Sequence, residues 1–276
     1  MNDSESVCQL CGDDNSEQIC TVHERPQRET DYRIPEEDYQ RKIKRCLGCG
    51  VYFNVHGMKI PNLYSGFYMT TTYQNQIHER FSRIAALPYE RSDNKHRVTR
   101  IREKLIEDRV DPKKISLLDV GSGLGVFPAE IKKFVPKISC IDPDPNAVEH
   151  LSNEVGIGQV FCGFFEEYQF DAGSGFDLIS INKVLEHVPN PISFLGKARD
   201  LLNIGGVIYI EVPDARAALE SGTPIDREEF FLEHHLIFTR ESCEFMAEAA
   251  GLNWRHLETI REPSDKHTLV GWLNPS

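Results

Sequence analysis

The stretch Leu117-Leu118-Asp119-Val120-Gly121-Ser122-Gly123-Leu124-Gly125 constrains this chain more than any other. A short apolar run, long enough for one buried strand, carries an acid near its end and stops on three glycines at alternate positions. Glycine lets the backbone turn sharply and come close to a ligand, and the free amides at a helix start attract an anionic group. A bare GxGxG also suits dinucleotide sites. What narrows the reading is Asp142, which ends the next apolar run about twenty residues on, where a carboxylate accepts both ribose hydroxyls. A tight turn with a helix cap explains the glycines alone, but not both acids.

Apolar runs and helical periods alternate from there to the C-terminus. Val98, Ile101, Leu105 and Ile106 recur at helical spacing in 94–109, and further helices are expected over 126–134, 146–155 and 192–202. Strands are expected at 115–120, 137–141, 176–181 and 207–212, the last after a Gly205-Gly206 turn, and two more at 254–259 and 267–273. Thr239 and Ser242 suit the start of a helix over 240–250, and Gly251 suits its end. This alternation predicts an α/β fold with a doubly wound, Rossmann-like, mostly parallel sheet, whose ligand sits beyond the carboxyl ends of the strands.

The N-terminal segment obeys a different rule. Cys8-Gln-Leu-Cys11 and Cys46-Leu-Gly-Cys49 are two CxxC pairs, each followed by a glycine and separated by residues 12–45. Two intervening residues let both thiolates of a pair reach one ion, so Cys8, Cys11, Cys46 and Cys49 are candidate ligands of a structural zinc in a small zinc ribbon. A redox dithiol needs only one pair beside a βαβ unit. The expected organisation is a ribbon over 1–60, a connector or lid over 61–93 containing Tyr64, Tyr68 and Tyr73, and the larger domain over 94–276.

Charge bears on the partners. With 31 Lys and Arg against 43 Asp and Glu, the net charge of −12 argues against a nucleic-acid partner. The local exception, Arg41-Lys42-Ile43-Lys44-Arg45, is read as a solvated strand face, the alternative being a phosphate grip. The start MNDSESVCQL lacks a signal-peptide pattern, and no window is long and apolar enough to span a membrane, so a cytoplasmic address with no membrane partner is expected.

Across 116–252 the chain resembles the class I S-adenosylmethionine-dependent methyltransferases, through LLDVGSGLG, CIDPD, FDLISINKVLEHVPNP and LLNIGGVIYIEVPD. The resemblance implies S-adenosylmethionine as cofactor. Asp119 and the loop of Gly121, Ser122, Gly123 and Gly125 would hold its methionine end, and Asp142 its ribose. Phe164 stands where many members carry an acid that reads the adenine amine, so stacking or backbone groups would hold the base there. Asn182 and His187 follow the strand edge that faces the reactive methyl in this fold. Glu233-His234, within Glu-His-x-x-x-Phe-Thr, resembles the substrate-side pair of nucleotide-sugar C-methyltransferases, and with His187 supplies the candidate catalytic residues. His234, aided by Glu233, is the expected base, with the adjacent His235 as the alternative register. Members of that group continue into a further domain, whereas this sequence stops at Ser276, which widens the expectation to C- or O-methylation of a small, sugar-linked acceptor. Two other readings are a zinc-containing RNA methyltransferase and a non-catalytic ribbon scaffold with a degenerate methyltransferase fold.

Overall fold

The computed structural model describes residues 7–58 and 77–276. Tyr64, Tyr68 and Tyr73 lie outside the described residues. Its centre is a seven-stranded sheet built on β4 (Ser116–Val120), β5 (Lys137–Asp142), β6 (Gln159–Cys162), β7 (Phe176–Asn182), β8 (Leu202–Pro213), β10 (Leu252–Arg261) and β11 (His267–Pro275). The order is β10-β11-β8-β7-β4-β5-β6. Strands β4 to β8 pair in parallel, whereas β11 runs antiparallel to both β8 and β10. Leu117, Leu118, Ile179 and Ile208 have no exposed surface. That is why these strands read as unbroken apolar runs and not as alternations: parallel strands are covered on both faces. The chain leaves β4 toward β5 on one side and returns to β7 on the other, so the strand order reverses at β4 and opens a crevice at its carboxyl end.

Helices α1 (Ile77–Ala85), α2 (Asp93–Glu107), α3 (Val126–Ile131), α4 (Pro145–Asn153), α5 (Pro191–Asp200), α6 (Ala215–Ser221) and α7 (Arg240–Ala249) surround the sheet. Local chemistry sets their starts. The Ser92 side chain accepts from Lys95 N at the head of α2, and Asp144 accepts from Asn146 N at the head of α4. Thr239 and Ser242 form the reciprocal cap expected for α7.

Four expectations change. Helix α1 falls inside the stretch read as a connector. Ile106 is 64% exposed while Leu105 is buried, because neighbouring helical positions point about 100° apart and only one can face the sheet. The Gly205-Gly206 turn lies within β8, where pairing jumps from Phe176–Leu202 to Leu178–Val207 and Gly205 takes φ +81° as an irregularity of the strand. The four-residue strand β6 has too short a run to stand out in the sequence.

The N-terminal segment folds as β1 (Ser16–Val22), β2 (Arg41–Cys46) and β3 (Tyr52–Val55), an antiparallel sheet completed by β9 (Leu236–Ile237) from the far side of the chain. Cys46, Val51 and Phe53 share one buried cluster with Leu236, Phe238, Cys243 and Met246. Arg41 corrects the reading of its charge run: it is fully buried. It donates to Glu29 Oε1 at 3.1 Å, the Tyr39 hydroxyl at 2.9 Å, Asn54 Oδ1 at 2.6 Å and the Phe230 carbonyl at 2.7 Å.

Candidate active site

The glycine loop and both acids meet at the crevice beyond β4 and β5. Gly121, Gly123 and Gly125 take φ of +71°, +50° and +73°, a left-handed backbone that other residues resist. A Cβ on Gly121 would also stand 2.6 Å from Val184 Cγ2. Asp142 spans the loop and the next helix: its Oδ2 accepts from Gly123 N at 2.8 Å and its Oδ1 from Asp144 N at 2.9 Å. Asp119 Oδ1 accepts from Ser180 Oγ at 2.7 Å and Asn182 Nδ2 at 3.3 Å, and Ser122 Oγ donates to the Asp119 carbonyl. Burial pushes both acids from 3.8 up to about 6. Asn182 Oδ1 is buried without a partner among the described residues. An apolar cavity of about 330 Å³ adjoins this cradle, lined by residues that include Gly121, Ile141, Pro143, Phe164, Val184 and His187. Phe164 is 40% exposed on its wall, a face a planar ring can stack on.

The turn after β7 supplies Val184, His187, Val188 and Pro189 to the cavity wall, and the loop 226–239 packs against His187 from behind. His187 Nδ1 lies 2.8 Å from the Glu233 carbonyl, and His234 Nδ1 lies 2.8 Å from the Glu229 carbonyl. A carbonyl only accepts, so each Nδ1 carries the hydrogen and each Nε2 presents a lone pair. The two rings stand 5.0 Å apart. His234, and not His235, faces His187; His235 donates its backbone N–H to the Glu186 carbonyl at 2.8 Å. Burial holds His234 well below its ordinary value and His235 at about 4. Burial also pushes the Glu233 carboxyl up to about 7, with the Glu29 charge adding in the same direction.

The strands of the N-terminal unit hold this loop in place. Asn54 Nδ2 donates to the carbonyls of Phe231 at 3.2 Å and His234 at 2.8 Å, and Leu232 N donates to Glu29 Oε1 at 2.7 Å. Beside β2 and β3, the Sγ atoms of Cys8, Cys11, Cys46 and Cys49 lie within 4.8 Å of one another, with Cys8–Cys49 at 3.7 Å and Cys11–Cys46 at 3.5 Å. A tetrahedral ion with bonds of about 2.3 Å to sulfur spaces its sulfurs by about 3.8 Å, so the thiols fit one. Gly12 N and Gly50 N each bond back to the first cysteine of their pair, at φ +79° and +80°, forming two like knuckles.

A family model described as a methyltransferase domain matches residues 89–257. The chain belongs to the methyltransferase domain family. Among relatives, the ubiquinone biosynthesis O-methyltransferase of Xanthomonas axonopodis pv. citri is 25% identical over 119 residues, covering 42% of this chain and 50% of that protein. Methyltransferase str2 of Strobilurus tenacellus is 31% identical over 113 residues, 41% of this chain and 40% of that protein. The chain thus spans about half the length of the curated relatives it matches. Among solved structures, the 1,6-didemethyltoxoflavin-N1-methyltransferase of Burkholderia thailandensis, bound to S-adenosylhomocysteine, aligns with a TM-score of 0.56 at 16% identity, covering 87% of this chain and 97% of that one. The magnesium protoporphyrin IX methyltransferase of Synechocystis, also with S-adenosylhomocysteine, gives 0.55 at 11% identity, covering 76% and 97%. These likenesses are of fold, the class I methyltransferase arrangement of a mostly parallel sheet.

Of the candidate site residues, the glycine loop, both acids, Phe164, Asn182 and His187 gather at the crevice, Glu233 and His234 pack against His187, and the four cysteines form a separate cluster. Three polar residues near the crevice carried no mark in the sequence reading. Ser180 sits inside an apolar run yet donates to Asp119. Glu186 precedes His187, and the short helical turn Leu185–His187 directs it inward, leaving it 1% exposed. Lys183 takes φ +57° directly after β7, a strained conformation that only the structure reveals.

Proposed function

We propose that this chain transfers the methyl group of S-adenosylmethionine to carbon or oxygen of a small, sugar-linked acceptor. The observation that supports the reading is a cavity lined by both Gly121 and His187, with Asp119 and Asp142 beside the glycine loop and Glu233 and His234 packed against His187. In this reading Asp142 accepts the ribose hydroxyls, Asp119 and the loop amides, with Ser122 and Asn182 beside them, orient the methionine end, and Phe164 stacks on adenine. The sulfonium supplies its own leaving group, so the protein has to align the acceptor and take its proton. Burial makes His234, the expected base, a weak one, so the role passes to Glu233, which is poised at about 7, with His234 and His187 oriented beside it.

The four cysteines hold a structural zinc that fixes the strands bracing the acceptor loop. A closed tetrathiolate leaves no position for substrate, so the ion's role is to shape the fold. Full burial of Arg41 takes one of the four cations that favoured an RNA partner, since that guanidinium is committed to protein groups. Calorimetry with S-adenosylmethionine tests the cofactor reading: wild type binds and Asp142→Asn binds at least tenfold more weakly. Absence of binding by wild type refutes it. Turnover of nucleotide sugars compared with catechols then tests the acceptor class.

A further inference from the structure

Glu186 has no counterpart in the scheme above. Its carboxylate is buried at the foot of the acceptor wall, and Oε2 has no hydrogen-bond partner among the described residues. A buried carboxylate oxygen left without a partner is costly, and burial raises the group's pKa from its ordinary value. A carboxylate oxygen of Glu186 and one ring nitrogen each of His187 and His234 lie within 4.8 Å of one another. Both histidines donate Nδ1–H to a backbone carbonyl, the arrangement that fixes tautomer and ring orientation in imidazoles that bind metals. The nearby cations are already neutralised: Lys183 Nζ lies 3.4 Å from Glu262, and Lys266 Nζ lies 2.9 Å from Glu228.

We propose that Glu186, His187 and His234 form a second metal site, distinct from the four cysteines, that takes a divalent first-row cation and leaves coordination positions open toward the cavity. Two imidazoles and one carboxylate are the donor set of open zinc sites and of related iron sites, whereas magnesium and calcium prefer all-oxygen shells. His187 lies on the cavity wall, so a ligand entering from the cavity reaches the open positions. The consequence rests on the methyltransferase reading: an acceptor hydroxyl bound there becomes more acidic. Its O–H bond breaks and the proton passes to the Glu233 carboxylate. The oxygen–carbon bond then forms as the methyl–sulfur bond breaks, and S-adenosylhomocysteine leaves. This favours an oxygen nucleophile over carbon, and an acceptor with adjacent oxygens able to chelate.

The test is a cobalt(II) titration of the full-length protein stripped of metal, followed by absorption. A tetrathiolate site gives intense sulfur-to-cobalt bands in the near ultraviolet, whereas a site of two histidines and one carboxylate gives only weak visible bands. Two equivalents are expected, and His234→Ala and Glu186→Gln should each weaken the second by at least about tenfold while leaving the thiolate bands intact. The thiolate bands report that the N-terminal unit remains folded, and if one variant fails to fold the other decides. Binding of a single equivalent with thiolate bands only, or a second equivalent unaffected by both variants, overturns the proposal. Calorimetry with S-adenosylmethionine on the same samples separates the two readings: cobalt binding without cofactor binding sinks the function and spares the site, and the reverse sinks the site alone.

Discussion

Arg41→Met asks whether the N-terminal unit is a structural part of the active site. Arg41 and Glu29 both have fully buried side chains, and Arg41 also donates to the Phe230 carbonyl at the head of the acceptor loop. Methionine nearly preserves the volume but leaves the Glu29 carboxylate buried with only the Tyr39 hydroxyl and Leu232 N as partners. Breaking one side of a buried ion pair costs roughly 3–5 kcal/mol, out of about 5–15 for a whole domain. With a urea dependence near 2 kcal/mol per molar, the unfolding midpoint should fall by about 1.5–2.5 M. Far-ultraviolet dichroism follows the whole chain, and the fluorescence of Trp254 and Trp272 follows the large sheet. Adding Glu29→Gln removes the stranded charge, so the double variant should recover about 2 kcal/mol or more of the loss. A midpoint shift under about 0.5 M for Arg41→Met, or strict additivity in the double variant, refutes the reasoning.

Two further predictions follow from the buried acids. Asp119 and Asp142 have folded values near 6, above 3.8, so the stability they contribute is complete below the lower value and is lost as pH rises through the higher one. Of the roughly 3 kcal/mol per group present below the lower value, about 1 kcal/mol per group separates pH 5 from pH 7.5, so the cofactor-free protein should be more resistant to urea at pH 5, while its affinity for S-adenosylmethionine falls over the same interval as Asp142 protonates. Affinity that is flat between these pH values would count against Asp142 as the ribose acceptor. For turnover, kcat/KM should rise with pH through about 7 as Glu233 ionises, and Glu233→Gln should lose that limb together with roughly 10²–10⁴ in rate. An unchanged profile in the variant would remove Glu233 as base.

The glycine loop and its two acids were legible because their placement is local. A buried parallel strand, the glycines that must follow it and the acid ending the next strand lie within a few positions of one another, and each leaves a mark on composition or spacing. The loop 226–239 is built on long-range contacts. The Arg41 run looks like a solvated stripe because its partners are remote: Glu29 lies 12 residues away and Phe230 lies 189 away. Asn54 reaches the His234 carbonyl across 180 residues, and no pattern within β3 announces it. Glu186 was in view within LEHVPNP, but only the turn that buries it beside two histidines makes it more than a surface acid.

That difference implies a division of labour within the fold. Gly121, Gly123, Asp119 and Asp142 are positioned by the strands and turns that carry them and by Ser180 and Asn182 of the neighbouring strand β7. The loop bearing Glu233 and His234 has little regular structure of its own beyond two-residue β9 and takes its backbone partners from Glu29, Arg41 and Asn54. Changes in the N-terminal unit therefore act most directly on residues 230–234, while Cys46 and Phe53 also share a buried cluster with Leu118, Val120 and Ile141 beside the two acids. In the proposed function, such a unit tunes which acceptor is methylated, and a metal held by the cysteine cluster would fix the strands through which it does so.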